Sequence, residues 1–227
     1  MKKIILLSFA LLLTQVVTKA QFYEIHPHFV SVSGGAGTIS FNDAQFPGYH
    51  GKLEGAFFYN YLFGTGLQAS HSYFKPLENT FADQRINTPR HTYNLTTADV
   101  DYYIVENYTA NAYFVAMPTW WFSFMGLGGA GFQRLLTPQG TIQYDDFYPY
   151  LHFGEADQTS TIDVVREKYN SVVFHLGLRA NLMVTDRFGF TFGTDYHFAK
   201  NKKYANERLH QFSGSAGIIV KLYELLY

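Results

Sequence analysis

The feature that most constrains the fold is a strict two-residue alternation that runs from Val172 to Phe198. Large apolar residues occupy every second position on both sides of a polar turn over residues 185–187, and small or polar residues lie between them. Because side chains on a β-strand point alternately to its two faces, each half predicts a strand with one apolar face and one polar face.

A hairpin closed over this turn pairs Leu182 with Phe190 and Leu178 with Thr194. In this register the apolar rows of both strands lie on the same face. Strand length, turn composition and alternation therefore all indicate one antiparallel hairpin.

Six further segments also alternate, three of them less cleanly, so the chain contains eight predicted strands. The other six are His28–Phe41, Leu53–Tyr61, Leu67–Tyr73, Ala110–Met117, Phe124–Arg134 and Phe212–Leu222. Alternation alone does not fix which face of Ala110–Met117 or of Phe124–Arg134 points inward.

The connections between these strands differ in length. Three are a few residues long, two are about ten residues, and two are long and polar, near residues 75–105 and 136–169. Alternating short turns and long loops is typical of outer-membrane barrels, in which the turns are periplasmic and the loops extracellular. The sequence therefore predicts an all-β fold: a single up-and-down antiparallel transmembrane β-barrel of eight strands.

Residues 1–20 have the three-part layout of a secretory signal peptide. Lys2 and Lys3 precede an apolar run from Ile4 to Leu13, and the segment ends in Thr18-Lys19-Ala20. The apolar run is shorter than the roughly 20 residues that a membrane-spanning helix needs, which disfavours an N-terminal anchor. We expect cleavage before Gln21, with residues 21–227 forming the barrel domain.

Composition narrows the class of protein further. Aromatic residues make up 19% of the chain and charged residues only 15%, and the chain has no cysteine. Without the predicted signal peptide, fourteen basic residues remain against eighteen acidic ones, so nothing indicates a nucleic-acid partner. An exported, aromatic-rich chain suggests strands whose apolar side faces lipid.

One motif raises the alternative of a cofactor site. Gly126, Gly128 and Gly131 have the spacing G-x-G-x-x-G, and Asp145 and Asp146 follow at a distance that suits ribose binding. A dinucleotide site needs a helix that starts within the motif, but Pro138 and Gly140 leave no room for one. We predict no cofactor, and we expect these glycines to let the sheet bend and to make room for bulky neighbours.

Three stretches carry a resemblance to a known class: "GLGGAGF", the strand end "FVAMPTWW" and the C-terminal "GIIVKLYELLY". They resemble the small eight-stranded outer-membrane β-barrel proteins of Gram-negative bacteria. The terminal Tyr227 is similar to the aromatic signal that barrel assembly machinery recognises, although "ELLY" breaks the alternation after Leu222, where we expect a bulge or a frayed end.

This resemblance implies a location in the outer membrane of a Gram-negative bacterium. The implied partners are outer-membrane lipid, the barrel assembly machinery and an envelope protein. In length and layout the chain also resembles the small-barrel component of a type IX secretion machine.

The polar faces of the strands predict a structural cluster of charges in the lumen. Its members are His175, Arg179, Asp195, His197, Glu54, Lys52 and Lys221. In the hairpin register His175 lies opposite His197, and Arg179 is diagonal to Asp195. Buried charges are tolerated when they are paired and hydrogen-bonded, so we expect a polar plug that holds the barrel.

The apolar faces predict the lipid-facing wall. The lipid-facing residues are Leu176, Leu178, Leu182, Phe188, Phe190, Phe192, Tyr196, Ile218 and Val220. Four aromatic residues at the short-turn end predict an interfacial girdle: Trp120, Trp121, Tyr59 and Tyr61.

Two chemical alternatives were weighed. His71, beside Ser70 and Ser72, is the kind of residue that a lipid A-modifying barrel enzyme uses, but both serines have the opposite parity and no acid is obviously placed to orient the imidazole. A loop set of His152, Glu155 and Asp157 could ligate a metal, although solvated loop residues explain it as well.

We therefore predict no catalytic residue and no metal site. The expected function is that of a non-enzymatic barrel whose long loops contact a partner at the surface, or of a subunit in an envelope or secretion complex. A secreted, soluble lipocalin-like carrier remains the third alternative, and it would point its large side chains inward.

Overall fold

The computed structural model describes residues 28–41, 44–76, 87–88, 91–119, 121–147, 158–201 and 207–222. Its regular elements are twelve β-strands. They are β1 (His28–Phe41), β2 (Ala44–Phe58), β3 (Phe63–Phe74), β4 (Asn87–Thr88), β5 (His91–Val100), β6 (Tyr103–Pro118), β7 (Phe122–Leu136), β8 (Gly140–Phe147), β9 (Gln158–Val164), β10 (Lys168–Met183), β11 (Phe188–Asn201) and β12 (Glu207–Leu222). Among these residues no helix has the length and apolarity needed to cross a membrane.

Eight of the strands form a closed antiparallel barrel in the order β1-β12-β11-β10-β7-β6-β3-β2. The predicted fold class is thus confirmed. The predicted hairpin register also holds, since Leu182 lies opposite Phe190 and His175 opposite His197. The short connections at residues 59–62, 119–121 and 184–187 all lie at one end, which we call the turn end, and we call the opposite end the loop end.

The second barrel strand is longer than predicted. It begins at Ala44 instead of near Leu53, so only two residues separate it from β1, where a connection of about ten was expected. Pro47, Gly48 and Gly51 interrupt the large-small alternation in this stretch, which hid the strand.

The structure also fixes the facing of β6 and β7, which alternation left open. Asn107, Asn111 and Tyr113 of β6 are buried in the lumen, and Met125 and Leu127 of β7 are buried with them. The outward positions in the middle of this strand pair are small: Ala110, Ala112, Gly126, Gly128 and Ala130.

The glycine motif lies entirely within strand β7, and no helix begins in it. Gly126 faces outward, and a Cβ atom there would meet nothing within 4 Å. At Gly131 a Cβ would lie 1.9 Å from the Tyr108 carbonyl oxygen, so the close approach of β6 requires glycine at this position.

The sequence suggested that the two long connections are polar loops, but the structure shows β-strands in both of them. They contain a second sheet of four strands in the order β4-β5-β8-β9. This sheet continues the barrel wall in the same register: Ile104 lies opposite Leu136, and four residues further out Val100 lies opposite Gly140. The same holds for the β7–β10 and β8–β9 pairs, in which Lys168 lies opposite Leu136 and Val164 opposite Gly140. Three neighbouring barrel strands therefore rise past the rim as one wall.

Polar contacts join this sheet to the barrel where the strands are interrupted. The Asp101 amide donates to the Gln139 carbonyl at 3.0 Å, and the Thr137 amide donates to the Glu167 carbonyl at 3.0 Å. Arg166 forms an ion pair with Asp101, and its Nε donates to the Thr137 carbonyl at 3.2 Å. Gly140, with φ of 152°, adopts a conformation that favours glycine and starts β8.

Candidate functional site

The centre of the lumen holds two cations and two anions from three strands. Lys52 and Glu54 are neighbours on the inner face of β2, Arg179 lies on β10, and Asp195 lies on β11. All four side chains are at most 2% exposed. The formal charges balance, which is the condition under which ions are tolerated away from water.

Arg179 is the hub of this charge cluster. Its Nε donates to Glu54 Oε2 at 2.8 Å, and its Nη2 donates both to Asp195 Oδ1 at 2.6 Å and to Gln68 Oε1 at 3.0 Å. Its Nη1 donates to the carbonyl oxygens of Leu178 and Thr194. Each nitrogen of the planar guanidinium thus has an acceptor.

Lys52 and His175 complete the shell around Asp195. Lys52 Nζ donates to Asp195 Oδ2 at 2.8 Å and to Ser215 Oγ at 3.1 Å. His175 Nε2 lies 2.7 Å from Asp195 Oδ1, and its Nδ1 lies 2.9 Å from Asn111 Oδ1. Asp195 therefore contacts side chains from β2 and β10, across the lumen as well as along the wall.

Tyr113, which sequence reasoning did not assign to this cluster, donates its hydroxyl to Glu54 Oε1 at 2.9 Å. His197 stacks on His175 with ring centroids 4.4 Å apart, and its ring nitrogens make no hydrogen bond among the described residues. Lys221 faces the same side of the wall, but it lies near the turn end opposite Phe29 and is therefore set apart from the four central charges.

A neutral polar layer lies next to the charges on the loop-end side. Asn107 Nδ2 donates to Gln211 Oε1 at 3.0 Å, and Gln133 Nε2 donates to Asn107 Oδ1 at 2.8 Å. Gln211 Nε2 donates to Ser72 Oγ at 3.1 Å. These bonds connect β3, β6, β7 and β12, so the layer ties opposite sides of the barrel.

Apolar clusters close the lumen on both sides of the polar layers, which the sequence did not predict. The loop-end cluster is Ile39, Phe46, Phe74, Tyr103, Val105, Leu135, Val173, Ala199 and Leu209. The turn-end cluster is Phe29, Ala56, Phe58, Tyr113, Val115, Met125, Leu127, Met183 and Ile219. An eight-stranded barrel has just enough room for such side chains, and among the described residues these two clusters fill the lumen on both sides of the polar layers.

The outer wall carries the residues predicted to face lipid. Leu176, Leu178, Leu182, Phe188, Phe190, Phe192, Tyr196 and Ile218 are all exposed large side chains, and Val220 is half-buried. A soluble lipocalin-like carrier would reverse this arrangement and would keep an open cavity. The wall therefore disfavours that alternative.

Aromatic residues mark both edges of the apolar wall. At the turn end Tyr59 and Trp121 are exposed and Tyr61 is half-buried, whereas Trp120 lies outside the described residues. At the loop end Tyr49, Tyr73 and Tyr102 form a cluster with ring centroids 5.3 to 6.2 Å apart. From Tyr49 to Tyr59 the rise and tilt of a barrel strand give a height of about 25 Å, which matches the apolar band of outer-membrane barrels.

His71 has an acidic neighbour, contrary to our expectation. Its Nδ1 lies 3.4 Å from Glu106 Oε1 on the outer face, and Arg134 Nη1 lies 3.0 Å from Glu106 Oε2. The acid escaped sequence reasoning because it is on β6, opposite His71, in a strand whose facing was open. Ser70 and Ser72 are both buried on the inner face, so neither lies beside the imidazole.

In the described part of the chain, no group of three or more His, Asp or Glu residues is arranged to hold a metal ion. The loop set His152, Glu155 and Asp157 lies outside the described residues, as do the predicted signal peptide and the terminal "ELLY".

Comparison with known proteins gives a likeness of fold. No family model matches the chain, and no curated protein does. Neisserial surface protein A has a TM-score of 0.53 at 12% identity, covering 86% of this chain and 97% of that chain. Ail, the attachment invasion locus protein of Yersinia pestis, has a TM-score of 0.44 at 15% identity over 85% and 98% of the two chains. The outer membrane protein OprG of Pseudomonas aeruginosa has a TM-score of 0.40 at 10% identity over 88% and 98%.

The likeness to Neisserial surface protein A, together with the closed barrel, identifies the fold as that of the small eight-stranded outer-membrane β-barrel proteins of Gram-negative bacteria. The predicted resemblance to this class is thus confirmed at the level of the fold. The fold, the apolar outer wall and the two aromatic edges are those of an integral outer-membrane barrel.

Proposed function

We propose that this protein is a non-catalytic integral barrel of the outer membrane whose β4-β5-β8-β9 sheet contacts a partner protein outside the membrane. The observation that carries the proposal is that three barrel strands continue into this sheet without a change of register. Below the sheet, apolar side chains fill the lumen of the barrel.

The closed lumen argues against transport as the main function. Conduction would need a water-filled path, but two apolar clusters flank a polar core in which the four charges are paired. Opening such a path would expose these charges singly, and each broken buried pair costs several kcal/mol. We expect no ion conductance from the purified protein in a planar bilayer.

The sheet provides a rigid surface of its own. Because its strands prolong β6, β7 and β10, it is oriented by the barrel instead of by flexible linkers. The Asp101–Arg166 ion pair and the backbone bonds at Gln139 and Glu167 hold it at the joint. A pre-organised surface loses little entropy on binding, which favours contact with a protein partner. A role as a subunit of an envelope or secretion complex, the type IX machine included, fits this surface.

Crosslinking in living cells tests the proposal. A photo-crosslinking residue at Thr161 on β9 should give a discrete protein adduct, whereas the same residue at Arg187 in a short turn should not. A membrane-impermeant thiol reagent should label Thr161→Cys, but not Arg187→Cys, on intact cells. Equal adducts at both positions, or no adduct at either, would contradict a partner-binding sheet.

A second candidate function, modification of lipid A, has the His71–Glu106 contact in its favour. Esterase chemistry of this type needs a nucleophilic hydroxyl beside the imidazole. The outward neighbours of His71 along β3 are Ala69 and Tyr73, and Arg134 also engages the acid. Mass analysis of lipid A from a deletion strain distinguishes the two functions, since a changed acyl pattern would favour the enzyme.

A further inference from the structure

Charges on the outer wall are confined to one end of the barrel. Along the outward positions of the eight barrel strands, no Lys, Arg, Asp or Glu occurs from the turn end up to the Glu106–Arg134 pair, which lies two residues short of Tyr73 in the register of β3 and β6. The loop end carries a belt of five cations, four on barrel strands and one just past the end of β3, with one acid among them that is paired with Arg134. The belt cations are Lys75, Arg134, Lys168, Lys200 and Arg208, and the acid is Glu106.

Three of the belt cations lie close to the last large aromatic residue on the outer face of their strand. Lys200 lies two residues beyond Phe198, Arg134 lies two beyond Phe132, and Arg208 lies four beyond Phe212. The belt therefore follows the upper edge of the apolar wall, where lipid headgroups meet a membrane protein. Long cationic side chains at such an edge reach the headgroup layer while their stems stay in apolar surroundings.

Lys200 and Arg208 make the strongest case within the belt. They lie directly opposite each other on β11 and β12, and both are exposed. Like charges at opposing positions of neighbouring strands destabilise a sheet. An anion held between them would remove this repulsion, and a phosphate accepts hydrogen bonds from both Lys and Arg.

The sign of the charge reverses above the belt. Four acidic residues lie in the joint and the sheet: Asp99, Asp101, Asp163 and Glu167. Arg166 is a cation in the same region, and it is already paired with Asp101. Among the described residues this surface beyond the belt is mainly acidic, so it would repel a soluble polyanion. Anionic headgroups in the membrane plane reach the belt from the side and avoid it.

We propose that the cation belt binds phosphate-bearing lipid headgroups of the leaflet at the loop end, with Lys200 and Arg208 holding one phosphate between them. This inference rests on the proposed membrane-barrel function. It also assigns the loop end to the leaflet that is richer in phosphorylated lipid, and it gives the barrel a fixed depth there.

Spin-labelled lipids measure the preference directly. The protein is inserted into phosphatidylcholine vesicles that contain spin-labelled phosphatidic acid or spin-labelled phosphatidylcholine, and the association constant of each at the protein surface is compared. We expect the wild type to prefer phosphatidic acid at least about fivefold at low salt, because a single Lys or Arg near an anionic headgroup contributes on this scale. The variant K200Q/R208Q should lose at least half of this preference.

Two controls make the result specific. The charge-conserving variant K200R/R208K should keep the preference of the wild type, and Arg187→Gln at the turn end should leave it unchanged. Added lipid A should displace the labelled phosphatidic acid, whereas inorganic phosphate at equal ionic strength should not.

The outcomes that overturn the proposal are distinct. Insertion with no preference, or with a preference that K200Q/R208Q retains in full, overturns the lipid site alone. Displacement by inorganic phosphate or by soluble heparin, but not by lipid A, would assign the belt to soluble anions. Failure of all variants to insert into phosphatidylcholine would overturn the barrel function and this inference with it.

Discussion

Arg179 Nη2 lies 2.6 Å from Asp195 Oδ1, on the neighbouring strand and diagonal to it. The position directly opposite Arg179 is Gly193, where a Cβ atom would lie only 2.8 Å from the guanidinium Nη1. The absent side chain thus gives Arg179 room to turn along the wall toward Asp195 and Glu54. Gly193 and the diagonal Arg179–Asp195 pair together determine how the guanidinium lies in the polar centre of the barrel.

Removing the hub of this cluster should destabilise the barrel strongly. Arg179→Ala leaves Glu54 and Asp195 with Lys52 as their one remaining buried cation, and breaking a buried ion pair in this way costs about 3–5 kcal/mol. The free energy of unfolding from vesicles, followed in urea by tryptophan fluorescence, should fall by this amount.

The matched control is the exposed turn residue Arg187, whose change to alanine should alter stability by less than about 0.5 kcal/mol. The double variant R179L/E54L removes one charge of each sign, so it should be less destabilised than the sum of its single variants. Additive losses would show that Arg179 and Glu54 do not act as a pair.

Depth along the outer wall should set the cost of a new charge. Leu178→Arg places a cation halfway along the apolar stretch of β10, where the cost of insertion is about 2–4 kcal/mol. Val172→Arg, near the loop-end edge of the same strand, should cost only about 0–1 kcal/mol. Heat-modifiable mobility in gels reports the folded fraction of both variants, and equal folding of the two would contradict the membrane position assigned here.

Two glycines of one motif should respond differently to the same methyl group. At Gly131 a Cβ would lie 1.9 Å from the Tyr108 carbonyl oxygen, so Gly131→Ala forces β6 and β7 apart. We expect a loss of about 1–3 kcal/mol, as for other overpacked positions. Gly126→Ala, with open space around its Cβ, should leave the unfolding midpoint nearly unchanged. A similar loss in both variants would point to backbone flexibility instead of close approach.

Strand facing could be predicted from the sequence only where the two faces of a strand differ clearly in hydropathy. In β10 and β11 large apolar side chains point outward and polar ones inward, so alternation alone predicted strand, register and facing. In β6 and β7 the contrast is weak or reversed, because Ala112 and Gly128 point outward while Tyr113 and Leu127 fill the lumen. Because apolar side chains of these two strands point into the lumen, hydropathy does not distinguish their inner face from their outer face.

Contacts across the lumen could not be predicted from the sequence for a different reason. Lys52 and Asp195 are separated by 143 positions, and they meet only because the sheet closes on itself with a particular stagger. Pairing along a hairpin needs local information, whereas closure depends on strand tilt and shear. The β5-β8-β9 extension was missed for a similar reason, since its strands pair across two long connections that looked like polar loops.

The joint between barrel and sheet should depend on Arg166. This side chain pairs with Asp101 and donates to the Thr137 carbonyl, so it links the segments before β6, after β7 and before β10. Arg166→Ala removes both contacts, while the barrel ladders below stay intact. We expect amide hydrogen exchange in β8 and β9 to become several-fold faster, with little change in β10 and β11, because local opening depends on local contacts. Lys168→Ala, two residues away at an exposed position, is the control and should leave exchange in the sheet as in the wild type. Faster exchange throughout the barrel in Arg166→Ala would mean that the sheet and the barrel unfold as one unit.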